Sequence, residues 1–139
     1  MSDPFDLRRF VDAQDSVYGS VLAELRAGRK RSHWMWFIFP QLAALGRSST
    51  ARRFGIAGLA EGRAYLEHSV LGPRLRECSQ LAAEVEGGSA EEVFGWPDNL
   101  KLRSSMTLFA HCTEQNADFT AVLDRYYAGA EDAATLDLL

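Results

Sequence analysis

The segment "GRKRSHWMWFIFPQ" sets three cations and a histidine directly before a run of aromatic residues. Arg29 offers a planar guanidinium that suits phosphate or carboxylate, and Lys30 offers a point charge. Trp34 and Trp36 offer ring faces on which a base or another ring can stack. His33 stands between the two groups and can donate, accept or carry a proton. This combination indicates a site for a small anionic, nucleotide-like ligand.

A second polar segment, "WPDNLKLRSSMTLF", follows much later in the chain. Serine and threonine are disfavoured inside a helix because their hydroxyls compete with the backbone for hydrogen bonds. Lys101, Ser104 and Ser105 stand at three- and four-residue spacing and therefore share one helix face. Two interpretations of Ser105 are equally good. It is either part of a polar pocket wall or a small residue that allows close helix packing.

We expect the two segments to meet across the fold and form one pocket. If the protein is an enzyme, the chemistry that fits best is hydrolysis or transfer at a sugar–base or ADP-ribose linkage. His33 would then transfer a proton, and Asp12 or Asp98 would supply a carboxylate. The predicted ligand-binding residues are Arg29, Lys30, Trp34, Trp36, Gln41, Lys101, Ser104 and Ser105.

Two alternatives compete with the pocket. The aromatic run from Trp34 to Phe39 could be entirely core, since aromatic residues bury large areas. It could instead face a protein partner or a second copy of the chain, because tryptophan and arginine are common interface anchors. We expect a monomer or a weak homodimer.

The bulk composition limits the class of partner. The chain has 139 residues and a formal net charge of −4, with a pI near 5.3, which argues against general binding to duplex nucleic acid. A local cationic cluster on an acidic protein suits a small anion better than a long polyanion. The histidines and cysteines show no metal-ligand spacing, so neither a metal nor another cofactor is predicted.

The sequence patterns predict an all-α fold: a compact, single-domain multihelical bundle of about six or seven helices over residues 1–139. The clearest helix covers residues 3–28, with Asp3 as its cap, Pro4 in its first turn and Gly28 at its end. The segment 33–39 reads equally well as a short helix or a strand. Further helices are predicted over 59–68, 74–86, 99–112 and 116–129, with short ones after Ser48, Ser89 and Asp132.

The beginning of the chain and its apolar runs give an expectation for location. "MSDPFDLRRF" lacks the apolar core of a signal peptide. The longest apolar run, Trp34 to Pro40, is far shorter than the ~18 residues that a membrane span needs. We therefore expect a cytoplasmic protein that does not bind membranes.

Long blocks of the sequence resemble the DUF1810 family, a domain of unknown function. The blocks are residues 5–56, then "AYLEHSVLGPRLRECSQL", then "VFGWPDNLKLRSSMTLF". The resemblance implies a mainly α-helical, cytosolic protein and implies no activity. Members are sometimes labelled calpastatin, but that label suits disordered inhibitory repeats and not a compact chain.

The chain is also similar to the NADAR (YbiA-like) family, which is associated with ADP-ribose and N-glycosidic chemistry. The similarity rests on the segment from Phe10 to Gln14, the Gly28–Arg29 pair and the polar late helix. The glutamate that this family carries in its first helix is not evident in this chain. The resemblance implies a nucleotide-like substrate.

Overall fold

The computed structural model describes residues 2–139, which form ten α-helices and no named strand. The all-α prediction is confirmed, but the number of helices is higher than the predicted six or seven. The helices are α1 (Arg8–Asp15), α2 (Tyr18–Ala27), α3 (Met35–Ile38), α4 (Ser49–Arg53), α5 (Leu59–Glu67), α6 (Leu71–Glu84), α7 (Ala90–Phe94), α8 (Asp98–Cys112), α9 (Ala117–Tyr127) and α10 (Ala133–Leu138).

The predicted helix over residues 3–28 is in fact two helices. Its first turn is a capped loop, in which the Asp3 carboxylate accepts from the backbone N–H groups of Leu7 and Arg8. A break separates α1 from α2 at Ser16 and Val17, two residues that favour helices weakly. The predicted end at Gly28 is correct: its φ of 72° is the left-handed conformation that commonly closes a helix.

Three of the ten helices are very short, and each lies at a segment where the sequence analysis allows a short helix. The segment 33–39 contains α3, which is only four residues long. Ser48 caps α4 by accepting from the Ala51 N–H, and Ser89 forms a complete capping box with Glu92 at α7. Caps of this kind are readable in the sequence, whereas the length of a one-turn helix depends on what packs around it.

Helix α8 is the central element, and it packs against α3, α5, α7, α9 and α10. Nearly every residue from Leu102 to Cys112 is buried, so this part of the helix is enclosed on nearly all sides. This explains its low amphipathicity and its small polar residues. The Thr107 hydroxyl donates to the Arg103 carbonyl four residues earlier, and the Ser104 hydroxyl lies 3.2 Å from the Leu100 carbonyl.

The segment between α3 and α4 contains a short 3-10 helix, Ala43–Leu45, and pairs once with the segment that follows α4. The Ile56 N–H donates to the Gln41 carbonyl, and the Ala43 N–H donates to the Ile56 carbonyl, both at 2.9 Å. This isolated parallel bridge, Leu42 to Ile56, fixes the chain on either side of α4. Within residues 2–139, no helix is both long enough and apolar enough to cross a membrane.

The turn from α5 into α6 depends on a glycine. A Cβ added at Gly72 would lie 2.1 Å from the backbone oxygen of Leu66, a distance that no side-chain adjustment can relieve. We expect Gly72→Ala to lower the free energy of unfolding by about 3 kcal/mol, measured by urea denaturation. Gly19→Ala is the matched control, since nothing lies within 4 Å of that Cβ, and it should raise stability by up to about 1 kcal/mol. Equal effects of the two substitutions would contradict the steric explanation.

Candidate functional site

The two predicted segments meet at a concavity beside the start of α8. Its volume is about 370 Å³, and we call it the Trp36 hollow. The loop before α3 forms one wall, and the end of α7 together with the first turn of α8 forms the other. The lining residues are Lys30, Arg31, Ser32, His33, Met35, Trp36, Phe94, Trp96, Pro97, Asp98 and Lys101.

A buried ion pair joins the two walls of the Trp36 hollow. The Lys30 ammonium lies 2.8 Å from the Asp98 carboxylate, and these side chains are only 7% and 21% exposed. Lys30 also donates to the Ser32 carbonyl at 2.5 Å, and its backbone N–H donates to the Val93 carbonyl at 2.8 Å. The charge of Lys30 is therefore already balanced, and its role in this geometry is to hold the loop against α7 and α8.

Lys101 has no such partner. Within residues 2–139 its ammonium makes no hydrogen bond and no ion pair, and it lies 5.3 Å from the centre of the Trp36 ring. A lysine over an indole face is stabilised by the ring quadrupole, yet it keeps its hydrogen-bonding capacity for another group. Lys101 is consequently the cation of the Trp36 hollow that is best placed to receive an anion.

The sum of the charges around the Trp36 hollow is positive. Three cationic side chains, Lys30, Arg31 and Lys101, line it together with a single carboxylate, that of Asp98. His33 adds an exposed imidazole at the rim. On a chain whose net charge is −4, this local excess of positive charge favours anions over cations at this surface.

The loop that carries these groups is fixed by Glu24, on α2. One carboxylate oxygen accepts from the backbone N–H of Arg31 at 2.6 Å, and it also accepts from the backbone N–H of Ser32 at 2.9 Å and the indole N–H of Trp34 at 3.0 Å. The other oxygen accepts from the Ser32 hydroxyl at 2.7 Å. Burial would raise the pKa of Glu24, but these hydrogen bonds outweigh burial and lower it to about 2.

Trp96 provides the aromatic surface that is most open to solvent. Its side chain is 71% exposed, and its peptide bond to Pro97 is cis. One face of Trp36 is already covered by Lys101, so Trp96 offers the freer ring at this site. Sequence reasoning did not select Trp96. Its position in a Gly-Trp-Pro turn could have indicated exposure, because turns lie at the protein surface.

A second concavity adjoins the Trp36 hollow at Trp96, Pro97 and Lys101. It has a volume of about 660 Å³, and we call it the Leu100 hollow. Lys101, Trp96 and Pro97 line both hollows. The other residues around the Leu100 hollow are Gln41, Leu45, Arg47, Ser48, Ala51, Leu100, Arg103, Ser104, Asp132 and Ala134.

The structure therefore brings together only part of the predicted site. Five of the predicted residues line the Trp36 hollow, namely Lys30, His33, Trp36, Asp98 and Lys101. Two others, Gln41 and Ser104, line the Leu100 hollow. Ser104 is engaged there, because it lies 2.9 Å from an Asp132 carboxylate oxygen. The Asp98 carboxylate, which the sequence analysis offers for catalysis, is paired with Lys30.

Four predicted site residues lie outside both hollows. Trp34 is 1% exposed and packs on Phe39, so its ring is core and offers no face for stacking. Ser105 is fully buried inside α8 and its hydroxyl has no partner within residues 2–139, which fits the close-packing interpretation. Arg29 is exposed beyond the rim. Asp12 is also exposed and pairs with Arg8 on α1.

The described residues offer few groups for metal binding or acid–base chemistry. Within residues 2–139, no three histidine, cysteine, aspartate or glutamate side chains lie close enough together to hold a metal ion. Asp98 is the only carboxylate among the residues lining the Trp36 hollow, and Lys30 neutralises it. The arrangement is better suited to binding an anion than to activating water with a carboxylate.

Comparison with known families agrees with this fold. Residues 4–139 match the model of the protein of unknown function family DUF1810. The chain belongs to the DUF1810 family. The sequence resemblance to DUF1810 is thereby confirmed and extends through α9 and α10, to the last residue.

A solved structure gives the same picture of the DUF1810 fold. The chain is similar to the conserved hypothetical protein Rv1873 from Mycobacterium tuberculosis, with 62% sequence identity and a TM-score of 0.97. The match covers 99% of this chain and 98% of the mycobacterial one. A comparison with curated proteins gives no match.

These comparisons give no support to the NADAR similarity. The residues that suggested it have structural roles in this DUF1810 chain. Phe10 is fully buried and packs edge-on against Tyr65. Gln14 is buried as well, and its amide donates to the Phe37 carbonyl at 2.7 Å and to the Tyr65 hydroxyl at 3.1 Å. A core aromatic residue and a core amide account for the Phe10–Gln14 pattern without a ligand.

Proposed function

We propose that this protein binds a small anionic ligand that carries a flat ring, such as a nucleotide, in the Trp36 hollow. The observation that carries the proposal is Lys101, whose ammonium has no hydrogen-bond or ion-pair partner among residues 2–139 and lies over the Trp36 ring in the wall of a concavity. The anion would contact Lys101, with Arg31 and His33 at the rim. The ring would stack on the exposed indole of Trp96.

The charge arrangement supports an anion more strongly than a neutral ligand. Lys30 and Asp98 neutralise each other, so Lys101 and Arg31 remain as uncompensated cations around the same space. A volume of about 370 Å³ lies in the range of small-molecule sites. Binding alone is proposed, because a catalytic carboxylate would have to be Asp98, which Lys30 holds at 2.8 Å.

Thermal denaturation with a panel of ligands tests the proposal. AMP, ADP, ADP-ribose and phenyl phosphate should raise the melting temperature more than ribose 5-phosphate, which has no ring to stack. A dissociation constant of about 0.1 mM would give a stabilisation of about 1.4 kcal/mol at 1 mM ligand, and a shift of about 4 °C. Lys101→Met should weaken binding about tenfold or more, because it removes the charged donor.

Arg29→Met is the matched control, because it removes a neighbouring cation that lines neither hollow. It should leave the dissociation constants unchanged. Unchanged melting with every compound at millimolar concentration would refute the proposed function. An equal loss of affinity in the Arg29 and Lys101 variants would show a diffuse electrostatic effect and no defined site.

A second candidate function is a non-catalytic interaction module, and one observation favours it. Trp96 and Leu100 are 71% and 51% exposed and lie together at the start of α8. Exposed aromatic and aliphatic side chains side by side are common at protein interfaces. Light scattering of the chain alone separates the two candidates, since self-association that Trp96→Ala abolishes would favour the module.

A further inference from the structure

The Leu100 hollow has no role in the function proposed for the Trp36 hollow, although the two share a wall. Apolar side chains make up most of its surface, including those of Leu45, Ala51, Leu100 and Ala134. Its volume of about 660 Å³ is much larger than a phosphate or carboxylate requires. An open apolar concavity of this size beside a cation is suited to a ligand with an apolar portion.

Most polar groups around the Leu100 hollow are already occupied. Arg103 donates to the carbonyls of Ala130 and Glu131, at 2.9 Å and 3.1 Å. One Asp132 oxygen accepts from the hydroxyls of Ser104 and Thr135, at 2.9 Å and 2.6 Å. These interactions belong to the packing of α10 on α8. What remains for a ligand is apolar surface together with the Lys101 ammonium, the Arg47 guanidinium and the Gln41 amide.

Lys101 is the group that connects the two hollows. Its side chain lines both, and its ammonium has no hydrogen-bond or ion-pair partner within residues 2–139. An anionic group bound at Lys101 would therefore adjoin the open space of both hollows. A ring in one hollow and an apolar chain in the other could share a single anionic centre.

We propose that the Leu100 hollow holds the apolar portion of the ligand whose anionic group binds Lys101. The ligand class is then a soluble amphipathic anion: a phosphate or carboxylate that bears an aliphatic substituent. This inference rests on the proposed function, since it takes the same anion position. It adds a second binding site and a preference for apolar substituents, which a simple nucleotide pocket would not have.

A series of n-alkyl phosphates with four to ten carbons, each kept below its micelle concentration, tests the inference by isothermal titration calorimetry. The affinity should rise two- to fourfold per methylene until the Leu100 hollow is full, because a buried methylene contributes about 0.8 kcal/mol. Leu100→Gln should reduce that gain per methylene while leaving the affinity for phenyl phosphate unchanged. Lys101→Met should weaken binding of every member of the series.

Leu138→Gln is the control for Leu100→Gln, because Leu138 is equally exposed, at 50% against 51%, and lines neither hollow. It should preserve the chain-length dependence. One outcome would overturn this inference but leave the proposed function standing. In that outcome phenyl phosphate binds through Lys101, and the affinity for alkyl phosphates does not depend on chain length. Failure of both phenyl and alkyl phosphates to bind would overturn both.

A membrane surface also presents phosphate groups beside apolar chains. A vesicle sedimentation experiment distinguishes a membrane from a soluble ligand. We expect the monomeric alkyl phosphates to bind and vesicles of phosphatidylcholine with phosphatidic acid not to sediment the protein. Sedimentation with these vesicles, lost in Lys101→Met, together with no binding of monomeric octyl phosphate, would overturn the proposal of a soluble ligand.

Discussion

Replacing Asp98 with alanine is expected to lower the free energy of unfolding by about 3–5 kcal/mol. The reason is the environment of Lys30, whose ammonium is 7% exposed and lies 2.8 Å from the Asp98 carboxylate. Without Asp98, a buried ammonium would keep only the Ser32 carbonyl and the Trp34 ring, 5.0 Å away, as partners. An uncompensated buried charge is much more costly than the loss of an exposed pair.

The chain offers a matched ion pair for comparison. Arg8 and Asp12 lie 3.6 Å apart, with side chains that are 81% and 65% exposed, so Asp12→Ala should cost less than about 1 kcal/mol. The double variant Lys30→Met/Asp98→Ala should recover much of the stability lost in Asp98→Ala, because it removes both charges. Guanidinium denaturation measures all of these values. Equal costs for the Asp98 and Asp12 variants would contradict a structural role of the buried pair.

The ion pair between Lys30 and Asp98 shows which features of the site could be predicted from the sequence. The hypothesis that residues near Lys30 and near Lys101 meet agrees with the geometry of the Trp36 hollow, which both residues line. The residue types indicated that the two segments meet, because cationic and aromatic side chains in neighbouring positions are suited to binding an anion that carries a ring. What the spacing could not indicate was which cation would be neutralised. That depends on a contact between residues 30 and 98, which are far apart in the chain.

The aromatic run illustrates the same limit. Its residues divide between several roles: Trp34 is core, Trp36 is half-buried at the hollow, and Phe37 packs against Phe54. A four-residue helix has too few turns for its periodicity to assign an inside and an outside. The sequence therefore favoured burial for the run as a whole, but it could not separate Trp34 from Trp36.

Longer elements were more predictable, because their apolar periodicity spans several turns. Helix α6, predicted over 74–86, buries residues at three- and four-residue spacing, among them Leu75, Cys78 and Ala82. Helix α8 is the exception, since it is enclosed on nearly all sides and its periodicity carries little information. The polar face predicted for Ser104 and Ser105 is thus buried against neighbouring helices, which no local pattern reveals.

The sequence patterns did not indicate a role for Glu24, and its replacement is expected to be strongly destabilising. Glu24→Ala removes the acceptor of four hydrogen bonds and leaves the buried indole N–H of Trp34 without its partner. We expect the free energy of unfolding to fall by about 3 kcal/mol at pH 7. The loop that presents Arg31 and His33 to the Trp36 hollow should lose its order, so nucleotide affinity should also fall.

The effect of Glu24 should depend on pH in a defined direction. Its pKa is about 2 in the folded protein, below the ordinary value of 4.5, so the folded state binds a proton less readily than the unfolded chain. The stabilisation is therefore complete above about pH 4.5 and is lost as the pH falls towards 2. The difference in unfolding free energy between wild type and Glu24→Ala should shrink over this interval.

Urea denaturation at several pH values between 7 and 2.5 measures this difference, with Glu67→Ala as the control. Glu67 is an exposed carboxylate at the end of α5, and within residues 2–139 its side chain makes no hydrogen bond or ion pair. Its replacement should change stability by less than about 0.5 kcal/mol at every pH. A difference between wild type and Glu24→Ala that stays constant down to pH 2.5 would show that the carboxylate charge of Glu24 does not hold the loop.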